Sequence, residues 1–524
     1  MSQIVDIVAK PDEAFREEIL KVKAARVVRS YVERVKVLKR SVDARGKRPV
    51  YRLRVEVFEK GEPLVPETPV LYKGADLPSR VIIVGMGPAG MFAALRLLEY
   101  GVKPIIIERG KDVRERRRDL RAIQQFHTVN PDSNYCFGEG GAGTYSDGKL
   151  YTRSDKRGDI KKILRVLVQH GAVEDIMVDA HPHIGSNKLP LVVQQIRETI
   201  ISHGGEVHFN ARVTDLILRE GTVTGVEING SGTLQGDAVI LATGHSARDI
   251  YQLLQRKEIL LERKDFAMGV RIEHPQSLID EVRYHTPVRP AELPAASYSA
   301  VCQVGGRGVF SFCMCPGGII VPASTAPEEL VVNGMSLSRR DSPFANSGFV
   351  AEVKEEDLIP FQDQGVLAGL AYQASLERMA FEAGGKTQVA PAQRVTDFLQ
   401  GKESSSLPGT SYIPGITAAP LHALLPRAIS TRLQGALKDF NRKMKGYITS
   451  EAIMVGVESR TSSPLRIPRD KITGMHLTVQ GLFPSGEGAG YAGGIVSAAV
   501  DGEKSAGAVL QYLHVPGFSP SVSQ

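Results

Sequence analysis

The sequence predicts an α/β protein in which one Rossmann-like domain is divided between two distant parts of the chain. A strand, a glycine-rich turn and a helix follow one another near residue 85, and the same pattern recurs near residue 486. The long segment between these motifs mixes strands, helices and loops, which predicts an inserted α+β domain. A small, basic α+β module precedes both. The predicted segments are 1–78, 79–261, 262–472 and 473–524.

Composition limits the class of protein. The chain has 524 residues, of which 42% are hydrophobic and 23% charged, and this balance excludes a disordered or fibrous chain. The longest uncharged apolar stretch, Val81 to Leu95, contains glycines and a proline and is too short to cross a bilayer. The first residues lack an apolar signal core, and the four cysteines do not form a disulfide framework. These features predict a cytoplasmic protein with no membrane span.

Positive charge is concentrated in the N-terminal module. The whole chain has a net charge of +7, and residues 1–60 alone contain 16 basic and 9 acidic side chains. Apolar and charged residues alternate over 50–58, which predicts a half-buried strand. A preceding helix is predicted to carry Phe15, Ile19 and Val22 on its apolar face. Four prolines between 61 and 79 predict a linker, and therefore a separate module.

The first glycine motif is typical of dinucleotide binding. It reads GMGPAG over 85–90, between a predicted strand (80–84) and a predicted helix (88–100). The first glycine permits a tight turn, the second lets the backbone approach a pyrophosphate, and the third lets helix and strand pack closely. The residues predicted to bind the phosphates are Gly85, Gly87, Pro88, Ala89 and Gly90.

An acidic residue completes this motif. Glu108 ends the next predicted strand, where a carboxylate accepts hydrogen bonds from an adenosine ribose. Arg109 follows it and is predicted to reach the adenosine or the pyrophosphate side of the same site. The arginine-rich run over 109–121 is otherwise interpreted as a solvated helix face.

The late motif distinguishes FAD from NAD. Residues 483–495 read FPSGEGAGYAGGI, a second strand, glycine turn and helix start for which an NAD-dependent dehydrogenase has no use. The stretch 133–150 is too rich in glycine for a strand or helix and is typical of a ligand loop. With a hairpin crossover and a strand that ends at 242–244, these motifs resemble the split FAD domain of glutathione-reductase-type flavoproteins.

The chain is also similar to one subgroup of that superfamily, the uncharacterised bacterial FAD-dependent dehydrogenases. The likeness extends over nearly the whole chain. It is carried by the glycine-rich stretch 133–150, by SVDAR at 41–45, GHSARD at 244–249, CMCPGG at 313–318, NGMS at 333–336 and ESRTSSP at 458–464.

The resemblance implies FAD as a non-covalent cofactor. It implies that Gly486 and Glu487 contact the ribityl chain and pyrophosphate, and that the amides near Gly494 and Ile495 face the flavin pyrimidine ring. The other residues expected at the FAD site are Gly140, Gly141, Ala142, Gly143, Thr144, Val213, Ala242, Thr243 and Gly244.

The predicted activity is two-electron transfer through flavin N5 to or from a small molecule, in a crevice between the FAD domain and the inserted domain. Lys149 and Arg460 are predicted to orient an anionic or carbonyl-bearing substrate by charge-assisted hydrogen bonds. No second GxGxxG follows a strand, so NAD(P)H, where it is the donor, must visit this crevice transiently.

Two other functions stay open. The tRNA uridine-modifying flavoproteins share this type of FAD domain, and the N-terminal module is basic enough to bind the phosphates of an RNA backbone. An aromatic content of 6% and the absence of Trp argue against nucleic acid as a partner. The other alternative is a flavin-binding scaffold without turnover.

Two side-chain pairs are given structural interpretations. Cys313 and Cys315 are two residues apart in a predicted strand, so their side chains are expected on the same face. They are interpreted as small buried hydrophobes rather than as a redox pair. His181 and His183 have no third ligand in view, so no metal site is predicted.

Overall fold

The computed structural model describes residues 3–63, 68–151 and 158–519. Its strands are β1 (Gln3–Ala9), β2 (Arg34–Asp43), β3 (Val50–Phe58), β4 (Arg80–Val84), β5 (Lys103–Ile107), β6 (Glu206–His208), β7 (Val213–Arg219), β8 (Thr222–Ile228), β9 (Gly232–Gln235), β10 (Ala238–Leu241), β11 (Glu262–Arg263), β12 (Phe266–Pro275), β13 (Val301–Val304), β14 (Arg307–Cys315), β15 (Gly318–Pro322), β16 (Val332–Ser336), β17 (Phe344–Val353), β18 (Ala390–Arg394), β19 (Ile416–Ala418), β20 (Ile453–Glu458), β21 (Leu465–Arg466) and β22 (Leu482–Pro484). Its helices are α1 (Glu17–Val28), α2 (Pro88–Leu98), α3 (Val113–Phe126), α4 (Ile160–Gln169), α5 (Leu189–Ser202), α6 (Arg248–Arg256), α7 (Gln276–Tyr284), α8 (Ala368–Ala383), α9 (Val395–Gln400), α10 (Leu421–Leu424), α11 (Arg427–Lys443) and α12 (Ile495–Tyr512).

The split domain is built on a parallel sheet with the strand order β22-β10-β4-β5-β6. β4 and β5 are nearly continuous apolar runs, as expected of strands that are buried on both faces. β22 comes from the late motif and pairs with β10, so the predicted division of this domain is confirmed. Antiparallel strands β7, β8 and β9 form a small separate sheet, as the hairpin pattern indicates.

Helices α2 and α12 pack against each other and join the two parts of the split domain. A Cβ atom on Gly502 of α12 would lie 2.0 Å from the carbonyl oxygen of Ala89 in α2. Only glycine permits such a close approach, so the small residues of the late helix have a packing reason. Among the described residues, no helix has both the length and the apolar character that a membrane crossing requires.

The inserted domain contains a mostly antiparallel sheet with the strand order β13-β14-β17-β12-β20-β18-β19. Only β18 and β19 pair in parallel among the strand pairs of this sheet that the described residues form. α11 packs on the sheet, and the rings of Phe349, Phe440 and Tyr447 meet between them. The predicted mixture of sheet and helices is confirmed.

The N-terminal module is a three-stranded antiparallel sheet in the order β1-β3-β2 with one helix, and β3 has the predicted bounds. The predicted apolar face of the helix is wrong. Leu20 and Ala24 are buried in α1, whereas the side chain of Val22 is 52% exposed and Phe15 precedes the helix. The apolar residues that α1 buries are therefore offset from those that the pattern suggested.

This module is not separate from the rest of the molecule. Its buried residues belong to the same hydrophobic cluster as those of the inserted domain. The hydroxyl of Tyr51 donates to the carbonyl oxygen of Glu292 at 2.8 Å, and the Arg40 N–H donates to the carbonyl oxygen of Val178 at 2.8 Å. The proline count predicted a linker but carried no information about these contacts. Part of that predicted linker, 64–67, lies outside the described residues.

A buried histidine in the inserted domain makes the stability of the protein depend on pH in the acidic range. His274 is fully buried, its Nε2 donates to the carbonyl oxygen of Tyr447 at 2.8 Å, and its Nδ1 has no partner among the described residues. Burial lowers the pKa of His274 from 6.5 to about 4. The unfolded chain therefore binds this proton first as pH falls.

We expect stability to fall as pH drops from about 6.5 towards 4, with His274 contributing about 3 kcal/mol of that loss. His274→Gln keeps a donor near the Nε2 position but does not titrate, so it should flatten this part of the pH profile. Chemical denaturation at several pH values measures the difference from the native protein. His285→Asn, at an exposed histidine, is the control. Parallel profiles for His274→Gln and the native protein would contradict the assignment.

Candidate functional site

A cavity runs from the glycine motif of the split domain into the inserted domain. Its wall contains Gly87 and Glu108 on the split-domain side, and Lys149, Cys313 and Arg460 where the two domains meet. Motifs that lie far apart in sequence therefore meet here. The predicted cofactor residues in the wall are Gly85, Gly87, Pro88, Ala89, Glu108, Arg109, Gly141, Ala142, Gly143, Val213, Ala242, Thr243, Gly244, Gly486, Glu487, Gly494 and Ile495.

The remaining predicted residues, Gly90, Gly140 and Thr144, stand behind the wall. A Cβ atom on Gly90 would lie 2.0 Å from the carbonyl oxygen of Gly85, so glycine is required where α2 packs on the turn. Thr144 is buried, and its hydroxyl donates to the carbonyl oxygen of Glu139 at 2.9 Å. These residues shape the turns from which the wall is made.

Two helices begin at this cavity. α2 follows Gly87 and α12 follows Gly494, and no side chain within 3–63, 68–151 or 158–519 caps the first N–H groups of either helix. A Cβ atom on either glycine would meet no described heavy atom within 4 Å, so the space in front of both helix ends is open. Free N–H groups and the positive end of the helix dipole attract anionic groups. The two helix ends therefore fit the pyrophosphate and the electron-rich pyrimidine ring of FAD.

The glycine-rich loop beside these helices is held by a buried arginine. Arg116 has no exposed surface, and it donates to the carbonyl oxygens of Asn134 at 2.8 Å and Glu139 at 2.9 Å. The interpretation of the arginine-rich run as a solvated face is therefore wrong at this position. The missed signal was periodicity, since the buried residues of α3 are Val113, Arg116, Leu120 and Ile123.

Glu108 lines the cavity and also joins three turns. Its carboxylate accepts hydrogen bonds from the backbone N–H groups of Met86 at 2.9 Å, Gly110 at 2.9 Å and Gly138 at 3.0 Å. The side chain is nearly buried, with 4% of its surface exposed. Glu108 therefore has a structural role in addition to the predicted contact with a ribose.

Glu108→Ala is expected to weaken FAD retention about tenfold or more and to lower stability by about 1 to 3 kcal/mol, because backbone N–H groups lose a charged acceptor. Glu108→Gln retains one acceptor oxygen and should have a smaller effect on both. Chemical denaturation and the rate of FAD release measure the two quantities. Glu206→Ala, at the exposed edge of the same sheet, is the control. Unchanged stability in Glu108→Ala would show that the carboxylate serves the ribose alone.

Arg109 is occupied by neighbouring acids. Its guanidinium pairs with Asp132 at 2.8 Å and Asp249 at 2.9 Å, and it lies 4.2 Å from the ring centre of Phe137. The predicted contact with adenosine therefore involves an arginine whose position is already fixed by two carboxylates and one aromatic ring.

Lys149 projects into the cavity from the loop that follows the glycine-rich turn. Its Nζ donates to the carbonyl oxygen of Met314 and lies 3.7 Å from the carboxylate of Asp147. Burial would raise the pKa of Asp147, but Arg340 and Lys149 outweigh that effect and lower it. Asp147 and Arg340 form a 2.5 Å ion pair, which leaves Lys149 as a cation at the wall.

Cys313 and Cys315 do not share a strand face. A bulge interrupts the pairing of β14 between Phe312 and Cys315, and Cys313 has a φ of 42°. Cys315 is buried, whereas Cys313 is exposed at the cavity wall, so the interpretation of both as buried hydrophobes is wrong for Cys313. The Nη2 atom of Arg271 donates to the Cys313 carbonyl oxygen at 2.6 Å and holds the bulge. Although Cys313 faces the open cavity, the protein atoms around it remove much of the water from its thiol, and this desolvation raises the pKa of Cys313 to about 11, so the thiol is neutral.

Arg460 lies at the cavity, but its donors are used within the protein. It donates to the two carboxylate oxygens of Glu377 at 3.0 and 2.8 Å, to Glu329 at 2.7 Å and to the hydroxyl of Thr325 at 2.6 Å. Burial alone would raise the pKa of Glu377, but Arg460 and Arg248 lower it to about 2. The predicted direct contact of Arg460 with a substrate therefore conflicts with its internal pairing.

Sequence reasoning missed one ionisable pair at the cavity. His245 follows the strand end at 242–244, and its Nδ1 lies 3.2 Å from the carboxylate of Glu487. Both residues were present in the motifs, but nothing in their spacing predicts that they meet. Among the described residues, no group of three metal-ligating side chains comes together.

Comparison with known proteins identifies the type of protein. Residues 265–461 match a family described as FAD-dependent protein, C-terminal domain-like, and 79–252 match the pyridine nucleotide-disulphide oxidoreductases. Residues 188–330 match the FAD dependent oxidoreductases, and 1–58 match a domain of unknown function. An uncharacterized protein from Clostridium beijerinckii is 39% identical over 506 residues, which cover 93% of this chain and 94% of the relative. The chain belongs to the family of that protein. It is a flavoprotein with FAD-dependent oxidoreductase domains, and its cofactor is FAD.

More distant likenesses to this flavoprotein also occur. A thiamine thiazole synthase from Aeropyrum pernix is 27% identical over 195 residues, 34% of this chain and 60% of that protein. A geranylgeranyl bacteriochlorophyll reductase-like protein from Thermoplasma acidophilum is 14% identical, with a TM-score of 0.35, over 85% of this chain and 82% of that one. A glycerol-3-phosphate dehydrogenase from Bacillus halodurans, solved with FAD, is 12% identical, with a TM-score of 0.37, over 86% and 67% of the two chains.

Proposed function

We propose that this flavoprotein oxidises or reduces a small anionic or carbonyl-bearing molecule where the cavity meets the inserted domain. The observation that carries the proposal is the continuity of the cavity, which passes from the FAD turns to Lys149, Cys313 and Asn333. A cofactor-binding scaffold needs only the first part of such a cavity. FAD, when bound, supplies two-electron transfer at its flavin N5.

The side chains at this end of the cavity favour a particular kind of substrate. A lysine ammonium has three N–H donors, and the Met314 carbonyl accepts from only one of those of Lys149. A carboxylate or carbonyl oxygen therefore has a charged donor within the cavity. Phe312 and the neutral thiol of Cys313 offer a less polar surface beside it. We infer that NAD(P)H, where it is the electron donor, enters this part of the cavity transiently.

Arg460 is assigned an indirect role in this proposal. Its guanidinium has no free pair of N–H donors for a substrate carboxylate, because it already forms ion pairs with Glu377 and Glu329. It contributes by fixing its own loop, which forms part of the cavity wall. We therefore treat Lys149 as the substrate-orienting residue and Arg460 as a positioning residue.

Anaerobic reduction of the bound flavin tests the proposal. NADH, NADPH and sets of small hydroxy and amino acids are mixed with the holoprotein, and loss of the visible flavin absorption is followed. We expect at least one donor to reduce the flavin, and Lys149→Met to slow that step about 10- to 100-fold with FAD still bound. Lys149→Arg should retain more of the rate, and Lys471→Met, at an exposed lysine, should retain all of it. Equal rates in Lys149→Met and the native protein would move the substrate site elsewhere.

The N-terminal module supports RNA binding less than its charge suggests. Several of its basic groups pair with its own acids: Arg45 and Arg52 with Asp43 at 2.7 and 2.6 Å, and Arg54 with Asp6 at 3.0 Å. We therefore propose a small molecule, rather than nucleic acid, as the substrate.

A further inference from the structure

One imidazole connects three segments that meet at the FAD site. His245 follows β10, its Nδ1 lies 3.2 Å from Glu487 in the turn after β22, and its Nε2 lies 2.9 Å from the carbonyl oxygen of Arg460 in the loop after β20. The His245 side chain is 14% exposed and lines the cavity. It therefore links both parts of the FAD domain to the inserted domain.

Both partners of His245 are anchored on their far sides. The second carboxylate oxygen of Glu487 accepts a hydrogen bond from the Gly494 N–H, immediately before α12. Arg460 is anchored by its ion pairs with Glu377 and Glu329. A displacement of His245 would therefore disturb the start of α12 on one side and the wall loop of the inserted domain on the other.

The chemistry of the contacts defines what the imidazole does. A peptide carbonyl and an ionised carboxylate accept hydrogen bonds but do not donate them, so both ring nitrogens of His245 face acceptors, the Arg460 carbonyl oxygen and the Glu487 carboxylate. Burial opposes ionisation of Glu487, but the hydrogen bonds from His245 and from the Gly494 N–H lower its pKa below the usual range. Both ring nitrogens are therefore engaged by groups of the protein itself, so His245 is suited to hold those groups in place rather than to exchange a proton with a substrate.

We propose that His245 is a positioning residue for FAD: its Nδ1 side fixes Glu487 and the start of α12, and its Nε2 side joins that arrangement to the inserted domain. The start of α12 presents N–H groups and a positive dipole end, which favour negative charge on the ring that they face. Correct placement of this helix end therefore affects both the retention of FAD and its reduction potential.

Two substitutions separate the two sides of the imidazole. The amide nitrogen of Asn falls near the position of Nδ1, and that of Gln falls near the position of Nε2. His245→Asn therefore keeps a donor towards Glu487, whereas His245→Gln keeps one towards Arg460. We expect FAD release from the holoprotein to accelerate about 10- to 100-fold in His245→Gln and by less than about threefold in His245→Asn.

The midpoint potential of bound FAD provides a second readout. Loosening of α12 should weaken binding of the anionic reduced cofactor more than binding of the oxidised one. His245→Gln should then have a more negative potential, by about 30 mV for each tenfold change in the ratio of the two affinities. Equilibration with a reference dye under anaerobic conditions measures this shift.

The controls distinguish positioning from a general loss of stability. His208→Gln removes an exposed histidine from another 3.0 Å pair, with Glu206, on the edge strand β6 of the same domain, and it should leave release and potential unchanged. Glu487→Gln should release FAD at least as fast as His245→Gln, because it also alters a residue expected to contact the cofactor, and the double variant should release FAD no faster than Glu487→Gln alone. Additive effects, or equal release rates in the native protein and His245→Gln, would overturn the proposal. Because no substrate is present, these results are independent of the role proposed for Lys149.

Discussion

Gly87→Leu should be purified without FAD while remaining folded. The φ angle of Gly87 is −75°, which a side chain tolerates, and a Cβ atom there would meet no described heavy atom within 4 Å. The leucine side chain would instead occupy the space at the start of α2 where the pyrophosphate is predicted to lie. We expect an affinity loss of at least about 100-fold, because several hydrogen bonds to a charged group are lost together. The visible absorption of the purified protein measures FAD content, and circular dichroism measures folding.

Two other glycines serve as comparisons for this experiment. Gly46→Leu, at an exposed position in the N-terminal module, should retain both FAD and stability. Gly90→Ala should lose stability, because its Cβ atom would lie 2.0 Å from a backbone oxygen. A yellow Gly87→Leu protein with stoichiometric FAD would show that the cofactor phosphates lie elsewhere.

Arg271→Met should cost about 3 to 5 kcal/mol of stability, because it leaves the carboxylate of Glu458 buried without a partner. The side chains of Arg271 and Glu458 are 0% and 3% exposed, and their ion pair measures 3.0 Å. Arg271 also donates to Asn346 at 2.8 Å and to the carbonyl of Cys313. The variant should therefore disturb the cavity wall as well as the core. Chemical denaturation measures the loss.

The double variant Arg271→Met with Glu458→Leu should recover most of that stability, because both buried charges are then removed. Arg54→Met, which breaks an exposed pair whose side chains are 56% and 71% exposed, should leave the free energy of unfolding almost unchanged. A cost for Arg271→Met as small as that for Arg54→Met would mean that water reaches Glu458 in the folded protein.

Elements defined by consecutive residues were the predictable part of this molecule. β4 occupies the predicted residues, and β5 ends one residue before the predicted position, because a continuous apolar run and a glycine turn are local signals. The wall of the cavity around Gly87 was predictable for the same reason, whereas the wall around Gly494 was implied by the resemblance to the split FAD domain. Arg116 was also predictable, because it lies at helical spacing from the apolar residues Val113 and Leu120. Its charge made a solvent-exposed position look more natural than the buried one that this spacing indicates.

Contacts that depend on distant segments were not predictable. The partners of His245 come from positions 460 and 487, and no local pattern brings them together. The exposure of Cys313 depends on a bulge and on a guanidinium from another strand. The internal pairing of Arg460 was likewise invisible, since its acids lie in α8 and in the loop before β16.

The place of β22 in the sheet has a consequence for synthesis in the cell. β4, α2 and β5 leave the ribosome early, but β22 and α12, which complete the sheet and cover α2, are several hundred residues further on. At about 5 to 20 residues per second, tens of seconds separate these events. During that time one edge of β10 and the apolar side of α2 have no partner from the late segment. The nascent chain therefore cannot gain the full stability of the FAD-bound domain until β22 and α12 have been translated, and chaperones should bind it in the interval.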